Sequence, residues 1–398
     1  MTQNIEDQKG RNGEERRPSR RSQVIAIRGG MLQMKIDKVE VFLVSTAIPN
    51  SPSDSTRTVA SLGYVIVCLH TDDGLTGMGI TYHEIGGAAI RSLIEKDLAG
   101  LLLGRDPLAT EAIWEGIFHY IRGVGRKGLA FCALSVIDIA LWDLKGKMVG
   151  LPLYKLLGGE RKELPVYASG GWTSYDERQL LEELQGMVDA GYTMVKMKVG
   201  VADGKRPDLD VRRVRRVRRE LGGGIGIMLD ANNAFQAAAA IRLGHQLADE
   251  DILFFEEPVL ADDLEGLARV RASIDIPVAT GEHEYTKYGA RDLVKHGAAD
   301  IIQMDAARCG GVTEWQKIAA LTQAWNLSLA PHCMDYIHMH LVSAAPNGLF
   351  LERLQAFEPL NELVFVDPPQ PKGGILTIPD GPGLGLTLNL ENVRKYNE

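Results

Sequence analysis

Cysteine is scarce. Cys68, Cys132, Cys309 and Cys333 are the only four in 398 residues, and none is spaced CxxC with another. This argues against a disulfide scaffold or a cysteine-rich zinc site and makes a reducing, cytoplasmic setting the expectation. Long apolar runs are missing as well. No stretch reaches the roughly 18 residues that suggest a membrane span, and no signal peptide pattern is read. Positive charge is in deficit, with 44 Lys+Arg against 52 Asp+Glu and a net charge of -8. Neither nucleic acid nor an anionic membrane is therefore an expected partner. What remains is ordinary globular composition, 45% hydrophobic with 43 Gly. It is enough for a large core and too glycine-rich for a bare helical bundle.

The chain divides by pattern. Residues 1–33 mix Arg16, Arg17, Arg20 and Arg21 with Glu14 and Glu15 and show little apolar periodicity, so a disordered or extended segment is expected. Residues 34–155 read as an α+β domain. It has a strand at 34–44, a polar loop at 49–58, two strands around Asp73-Gly74, and helices near 87–102, 107–121 and 128–148. From 156 to 356, eight short apolar strands alternate with helical stretches: 164–169, 192–199, 224–230, 252–257, 276–282, 299–305, 327–332 and 348–354. Parallel strands covered by helices look like this, and eight units favour a closed α/β barrel. The turn-rich tail, 357–398, is expected to return to the first domain.

Chemistry sits at the strand ends. A buried strand should finish in apolar or turn residues, yet these finish in Lys196 and Lys198, Asp230, Glu256, Glu282, Asp305 and His332, and the last strand carries Glu352. In a barrel such side chains converge at the C-terminal mouth. Asp230, Glu256 and Glu282 on adjacent strands would repel one another. Mg²⁺ resolves this, with Mn²⁺ as a substitute; the alternative is a network of ion pairs with nearby Lys and Arg. Zinc is disfavoured because no Cys or His joins the set. Glu257 follows Glu256, and strand alternation points it elsewhere. Lys196 and Lys198 share one face, so mutual repulsion and a metal should lower the pKa of one toward that of a base. Asp305 beside His332 fixes a tautomer and makes a second base. Glu352 is expected to donate a hydrogen bond to an oxyanion, which requires it protonated or sharing a proton.

The strings VKMKVG (195–200), MLDANNA (228–234), FEEPV (255–259), ATGEHE (279–284), IIQMDAARCGGVTEW (301–315), LAPH (329–332) and LFLERL (349–354), in this order and spacing, resemble the enolase superfamily, mandelate racemase subgroup. The resemblance spans essentially all of 34–398. It implies an α+β cap over a modified TIM barrel, (β/α)₇β, whose last strand lacks its usual helix. It implies Mg²⁺ at Asp230, Glu256 and Glu282. Lys198 would be one acid/base with Lys196 as its electrostatic partner, and His332 with Asp305 the other. Glu352 would bind the intermediate's carboxylate oxygen. Homo-oligomers, commonly dimers or octamers, are implied too. The shared chemistry is removal of the proton alpha to a carboxylate. The complete site resembles that of acid sugar dehydratases, with racemisation or epimerisation as the alternative and a non-catalytic binding protein as a third.

Substrate identity rests on softer signals. Thr56, Arg57, Thr58, Tyr82 and His83 are candidates to meet sugar hydroxyls, and Arg122 and Arg126 to meet a distal carboxylate. His283 faces either outward or toward the metal. LAPHCMDYIHMHL (329–341) resembles dehydratases of galactarate and L-talarate, whereas GEHEYTKYG (281–289) resembles aldonate dehydratases such as those for rhamnonate. Gly123, Gly125 and Gly128 match a dinucleotide string without its strand–turn–helix setting. The arginines of 212–219 fall on the solvent side of a helix whose valines face inward.

Overall fold

Apolar, β-branched-rich runs make β1 (Ile36–Ala47) and β2 (Ser61–Thr71), the latter buried on both faces, and β3 (Thr76–His83) completes an antiparallel sheet in the order β1-β2-β3. These coordinates are a computed structural model describing residues 34–398, so the expectation for 1–33 lies outside the described residues. The turn between β2 and β3 falls at Asp73-Gly74. Gly74 takes φ +92 and donates its N–H to the Thr71 carbonyl, a left-handed conformation that favours glycine.

The helix Leu129–Val149 is apolar on nearly every face and buried from Ala130 to Leu144, as a helix wedged between two layers must be. It lies directly on β3, where Gly77 and Gly79 leave room for it; a Cβ at Gly79 would collide with the Val136 carbonyl oxygen. Two buried acids on this helix tie the layers together. Asp138 accepts from the Thr313 N–H (2.9 Å) and hydroxyl (2.6 Å) on the helix Gly311–Ala324. Asp143 accepts from the N–H groups of Met78 and Leu384, both at 2.7 Å.

The barrel strands are β4 (Glu163–Gly170), β5 (Met194–Lys198), β6 (Gly226–Asp230), β7 (Ile252–Glu256), β8 (Val278–Thr280), β9 (Ile301–Met304), β10 (Ser328–Pro331) and β11 (Leu351–Leu354). They run parallel in the order β10-β9-β8-β7-β6-β5-β4-β11. Leu329 closes the ring by donating to the Asn347 carbonyl and accepting from the Leu349 N–H, both at 3.0 Å. Tyr167, Met228, Phe254, Ala279, Ile301 and Ala330 fill the interior, so the barrel is a packed core with its chemistry confined to the rim. The helix Ala237–Gln246 between β6 and β7 had no clear signal in the sequence, because its opening run of alanines carries no amphipathic contrast.

After β11 the chain leaves the barrel wall. Its helix Glu358–Val364 meets the cap instead, where the Tyr64 hydroxyl donates to Asn361 Oδ1 at 2.7 Å and the Tyr64 and Phe357 rings stack at 5.7 Å. The eighth strand thus lacks its helix, as the resemblance implied, and a strictly eightfold reading does not hold. β12 (Ile375–Thr377) pairs antiparallel with β4. The last residues run along β1, with the Glu398 N–H on the Leu43 carbonyl at 2.9 Å. Among the described residues, no helix is long and apolar enough to cross a membrane.

Candidate active site

Strand register sets the site. Lys198 is the Cα partner of Asp230, and Asp230 of Glu256, so three charged side chains emerge at one level from β5, β6 and β7. Glu282 follows Gly281, whose close approach to the Gln303 backbone leaves no space for a side chain. Asp305 and His332 follow β9 and β10, and Glu352 lies within β11. All are buried.

Every cation in this ring is engaged. Lys196 Nζ lies 2.6 Å from Glu256 Oε2, 2.6 Å from Glu352 Oε1 and 3.9 Å from Asp230 Oδ2. Lys198 Nζ lies 2.5 Å from Asp230 Oδ2. His332 Nδ1 is 3.0 Å from Asp305 Oδ2, and its Nε2 is 3.2 Å from Glu282 Oε2 and 3.3 Å from Cys333 Sγ. These contacts set the protonation of the ring. Burial alone would lower both lysines, but the carboxylates around them, Asp230 foremost for Lys198 and Glu256 for Lys196, hold both ammoniums above their ordinary value. Glu352 is not held protonated either. Burial raises it, but Lys196 and then His332 bring it down to about 2. It stands ionised, accepting from the Cys333 N–H at 2.9 Å.

Glu256 is the exception. Burial, together with the charges of Asp230, Glu352 and Glu282, outweighs Lys196 and pushes its carboxyl up to about 8. Its Oε1 is buried without a hydrogen-bond partner. An orphaned carboxylate oxygen beside two further acids, with oxygen donors on adjacent strands, fits a hard divalent cation. The three carboxylates are each turned to a cation of the chain. Among the described residues, the sets whose ligand atoms all lie within 4.8 Å of one another are instead Glu257, Glu282 and His283, and His332, Cys333 and Glu352.

A cleft opens above the ring. Lys198, Glu282, His332 and Glu352 form its floor, and Asp54, Arg57, Tyr82 and Glu84 come from the cap. Lys198 and His332 enter from β5 and from the end of β10, five strands apart one way around the ring and three the other. Tyr82 sets its ring 5.9 Å from that of His332, and Trp172 sets its ring 5.9 Å from Lys198 Nζ.

The other candidates distribute unevenly. Arg57 and Tyr82 line the cleft. Thr56 does not; its N–H and hydroxyl serve Asp54 Oδ1. His83 faces a neighbouring cleft with Arg308 and Tyr285. Arg122 is exposed and Arg126 stacks 4.1 Å over Phe118 on the cap, and neither lines either cleft. His283 Nδ1 pairs with Glu257 Oε1 at 2.6 Å and is not among the cleft residues. Glu257, at φ +40, also accepts from Asn233 Nδ2 at 2.7 Å.

Sequence reasoning missed three contributors. Glu84 and Asp54 flank Arg57, and their signal was only that Asp54 lies three residues before that arginine and Glu84 directly after the candidate His83. His338 braces the dyad from behind. Its Nδ1–H donates to the Cys333 carbonyl (2.8 Å) and its Nε2 accepts from the Ala306 N–H (2.9 Å), which ties the residues after His332 to those after Asp305. Burial lowers its pKa, so it is neutral. Its helical spacing from His340 gave no hint of this. His340 is bound between the Tyr154 N–H and the Leu384 carbonyl, and burial brings it down to about 4.

Comparison with known proteins places these features in a family. The model of the mandelate racemase/muconate lactonizing enzyme N-terminal domain matches residues 38–158, and that of the enolase C-terminal domain-like family matches residues 179–393. A 3,6-anhydro-alpha-L-galactonate cycloisomerase of Streptomyces coelicolor is 34% identical over 90% of this chain and 98% of its own. An L-talarate/galactarate dehydratase of Salmonella typhimurium is 34% identical over 86% of this chain and 84% of its own. The crystal structure of a racemase from Streptomyces coelicolor with bound magnesium superimposes with a TM-score of 0.87 at 33% identity, covering 91% of this chain and all of that one.

Proposed function

We propose that this chain, which belongs to the mandelate racemase/muconate lactonizing enzyme family of the enolase superfamily, is a Mg²⁺-dependent dehydratase of a sugar acid. The observation that carries the reading is that two acid/base side chains, Lys198 and His332, reach one cleft from well-separated strands, each backed by a buried carboxylate. Asp230, Glu256 and Glu282 would hold Mg²⁺, which supplies Lewis-acid stabilisation of charge on the substrate carboxylate.

The remaining chemistry belongs to the chain. A side chain in the floor in its neutral form, the amine of Lys198 once its ammonium has given up a proton or the imidazole of His332, takes the alpha proton, breaking the C–H bond. Lys196, pinned between Glu256 and Glu352, keeps a fixed positive charge beneath the carboxylate end, where negative charge grows. His332, oriented by Asp305, gives a proton to the departing β-hydroxyl, which leaves as water when the C–O bond breaks. The enol that remains tautomerises to a 2-keto-3-deoxy acid. Cap side chains close the cleft over the reacting carbons and limit water entry.

A screen of aldonates and aldarates with Mg²⁺ tests this, with 2-keto-3-deoxy acid as the expected product. No product across a broad panel refutes it. Cycloisomerisation is the second reading, favoured by the extent of the likeness to the Streptomyces coelicolor cycloisomerase. There the broken C–O bond lies within a ring, so the product keeps the substrate's mass, whereas dehydration loses one water. Racemisation or epimerisation would give alpha-carbon deuterium exchange without a keto acid.

A further inference from the structure

We infer that the substrate is a monocarboxylate, an aldonate with an uncharged far end, and that the cap selects against a dicarboxylate of the same configuration. This rests on the sugar-acid reading above and adds the substrate class to it.

The barrel floor holds the acid/base groups and the carboxylates, so the reacting carboxylate end of a sugar acid lies there and the far end meets the cap. What the cap offers is negative and apolar. Among the described residues, Arg57 is the one cation that the cap contributes to this cleft, and two of its nitrogens are already engaged by acids. Its Nη2 donates to Glu84 Oε1 at 2.9 Å, and its Nε lies 3.3 Å from Asp54 Oδ2. Asp54 is committed in turn: its Oδ1 accepts from the Thr56 N–H at 2.8 Å and the Arg57 N–H at 2.9 Å. Two carboxylates against one guanidinium leave this side of the cleft with one net negative charge. Val59, Leu62, Leu354 and Phe357 make up much of the remaining wall.

A second substrate carboxylate would meet that negative charge. At the outer face of Arg57 it would still lie against the net negative charge of Asp54 and Glu84, and to pair with the guanidinium through its engaged edge it must displace one of these acids, leaving that acid without its counter-ion. Other arginines do not compensate. Arg308 donates to the Glu282 carbonyl at 3.0 Å and lies 4.9 Å over the Tyr82 ring, opening to the neighbouring cleft. Hydroxyls or a terminal methyl carry no such penalty. Hydroxyls can accept from the outer face of Arg57, and a methyl suits the apolar wall.

The ring and cap are also anchored to each other, so this charge pattern is built in. The Ser55 hydroxyl donates to the Ala231 carbonyl at 2.6 Å, and the Thr173 hydroxyl donates to the Ser53 carbonyl at 2.9 Å. The polar loop 49–58 is thereby held over the ends of β4 and β6.

The test is calorimetric binding of an aldonate and the aldarate of the same configuration, with Mg²⁺ present, in a Lys198→Ala, His332→Ala background so that neither acid/base group can consume the ligand. The aldonate should bind about tenfold more tightly or better, the scale of one unit charge across a cleft of intermediate dielectric. Adding Glu84→Gln frees half of the arginine and should narrow the ratio by improving the aldarate alone. Equal or tighter aldarate binding overturns the inference, and so does a ratio that Glu84→Gln leaves unmoved. Preferential aldonate binding by a protein that dehydrates no sugar acid upholds this inference while refuting the dehydratase reading.

Discussion

Replacing Asp305 with Asn isolates the hydrogen bond that orients His332. In the native chain Asp305 divides its oxygens: Oδ2 meets His332 Nδ1 at 3.0 Å, and Oδ1 accepts from the Ala307 N–H at 2.7 Å, capping the short helix Ala306–Cys309. An asparagine is nearly isosteric and keeps the cap with its carbonyl oxygen. Its amide then aims N–H at His332 Nδ1. That nitrogen must accept, so the proton sits on Nε2, the atom facing the cleft, and the imidazole can no longer take a proton there. The imidazolium also loses its buried anion.

A hydrogen bond to a charged group contributes about 1.5–3 kcal/mol, or roughly 10- to 150-fold in rate. Adding the wrong tautomer extends the loss toward about 10⁴-fold. We expect kcat for keto-acid formation to fall by about 10²- to 10⁴-fold in Asp305→Asn, with the protein still folded at assay temperature because the helix cap survives. Alpha-deuterium exchange that depends on Lys198 should persist in the substrate configuration that presents its proton to that side. A kcat within about threefold of the native value, with the protein folded, would refute the orienting role.

Further outcomes follow from the same contacts. Mg²⁺ should raise thermal stability by linkage, about 2.7 kcal/mol at a hundredfold excess over Kd, and Glu256→Gln should abolish the shift in scanning calorimetry; a shift that survives would sink the metal assignment. Burial pushes Asp138 up to about 7 from its ordinary 3.8, so the folded state binds a proton that the unfolded chain has released, and stability falls as pH rises between those values. Between pH 5 and pH 8 the native chain should lose on the order of 2–3 kcal/mol that Asp138→Asn does not lose; parallel pH profiles in urea would contradict this. Gly79→Ala should cost about 3 kcal/mol or more, by forcing the helix Leu129–Val149 off β3, and an unchanged unfolding midpoint would show that the helix can give way.

What was legible in the sequence is what repeats. Short apolar runs ending in Asp230, Glu256, Glu282, Asp305 and His332 recur at about one strand–helix interval, and a closed barrel turns such periodicity into convergence. Those charges are visible because packing alone would have placed apolar residues there. The cap obeys no such rule. Thr56, Arg57, Tyr82, His83, Arg122 and Arg126 looked alike as polar residues near predicted loops, yet only Arg57 and Tyr82 line the cleft. What separates them is tertiary: a 4.1 Å stack on Phe118 for Arg126, and service to Asp54 for Thr56. Protonation was harder still to read, because it depends on every neighbour at once. Lys196 was expected to tune Lys198 downward by repulsion, but it sits among Glu256, Glu352 and Asp230, and attraction wins for both. The same neighbours explain why Glu352 is ionised while Glu256, one ion pair away, is the carboxyl left over. One lysine between three acids cannot neutralise them all, and the acid with an unpartnered oxygen is where an added cation has most to gain. A charge imbalance of this kind is set by distances between strand ends and by the direction each carboxylate turns, which the order of residues along the chain does not encode locally.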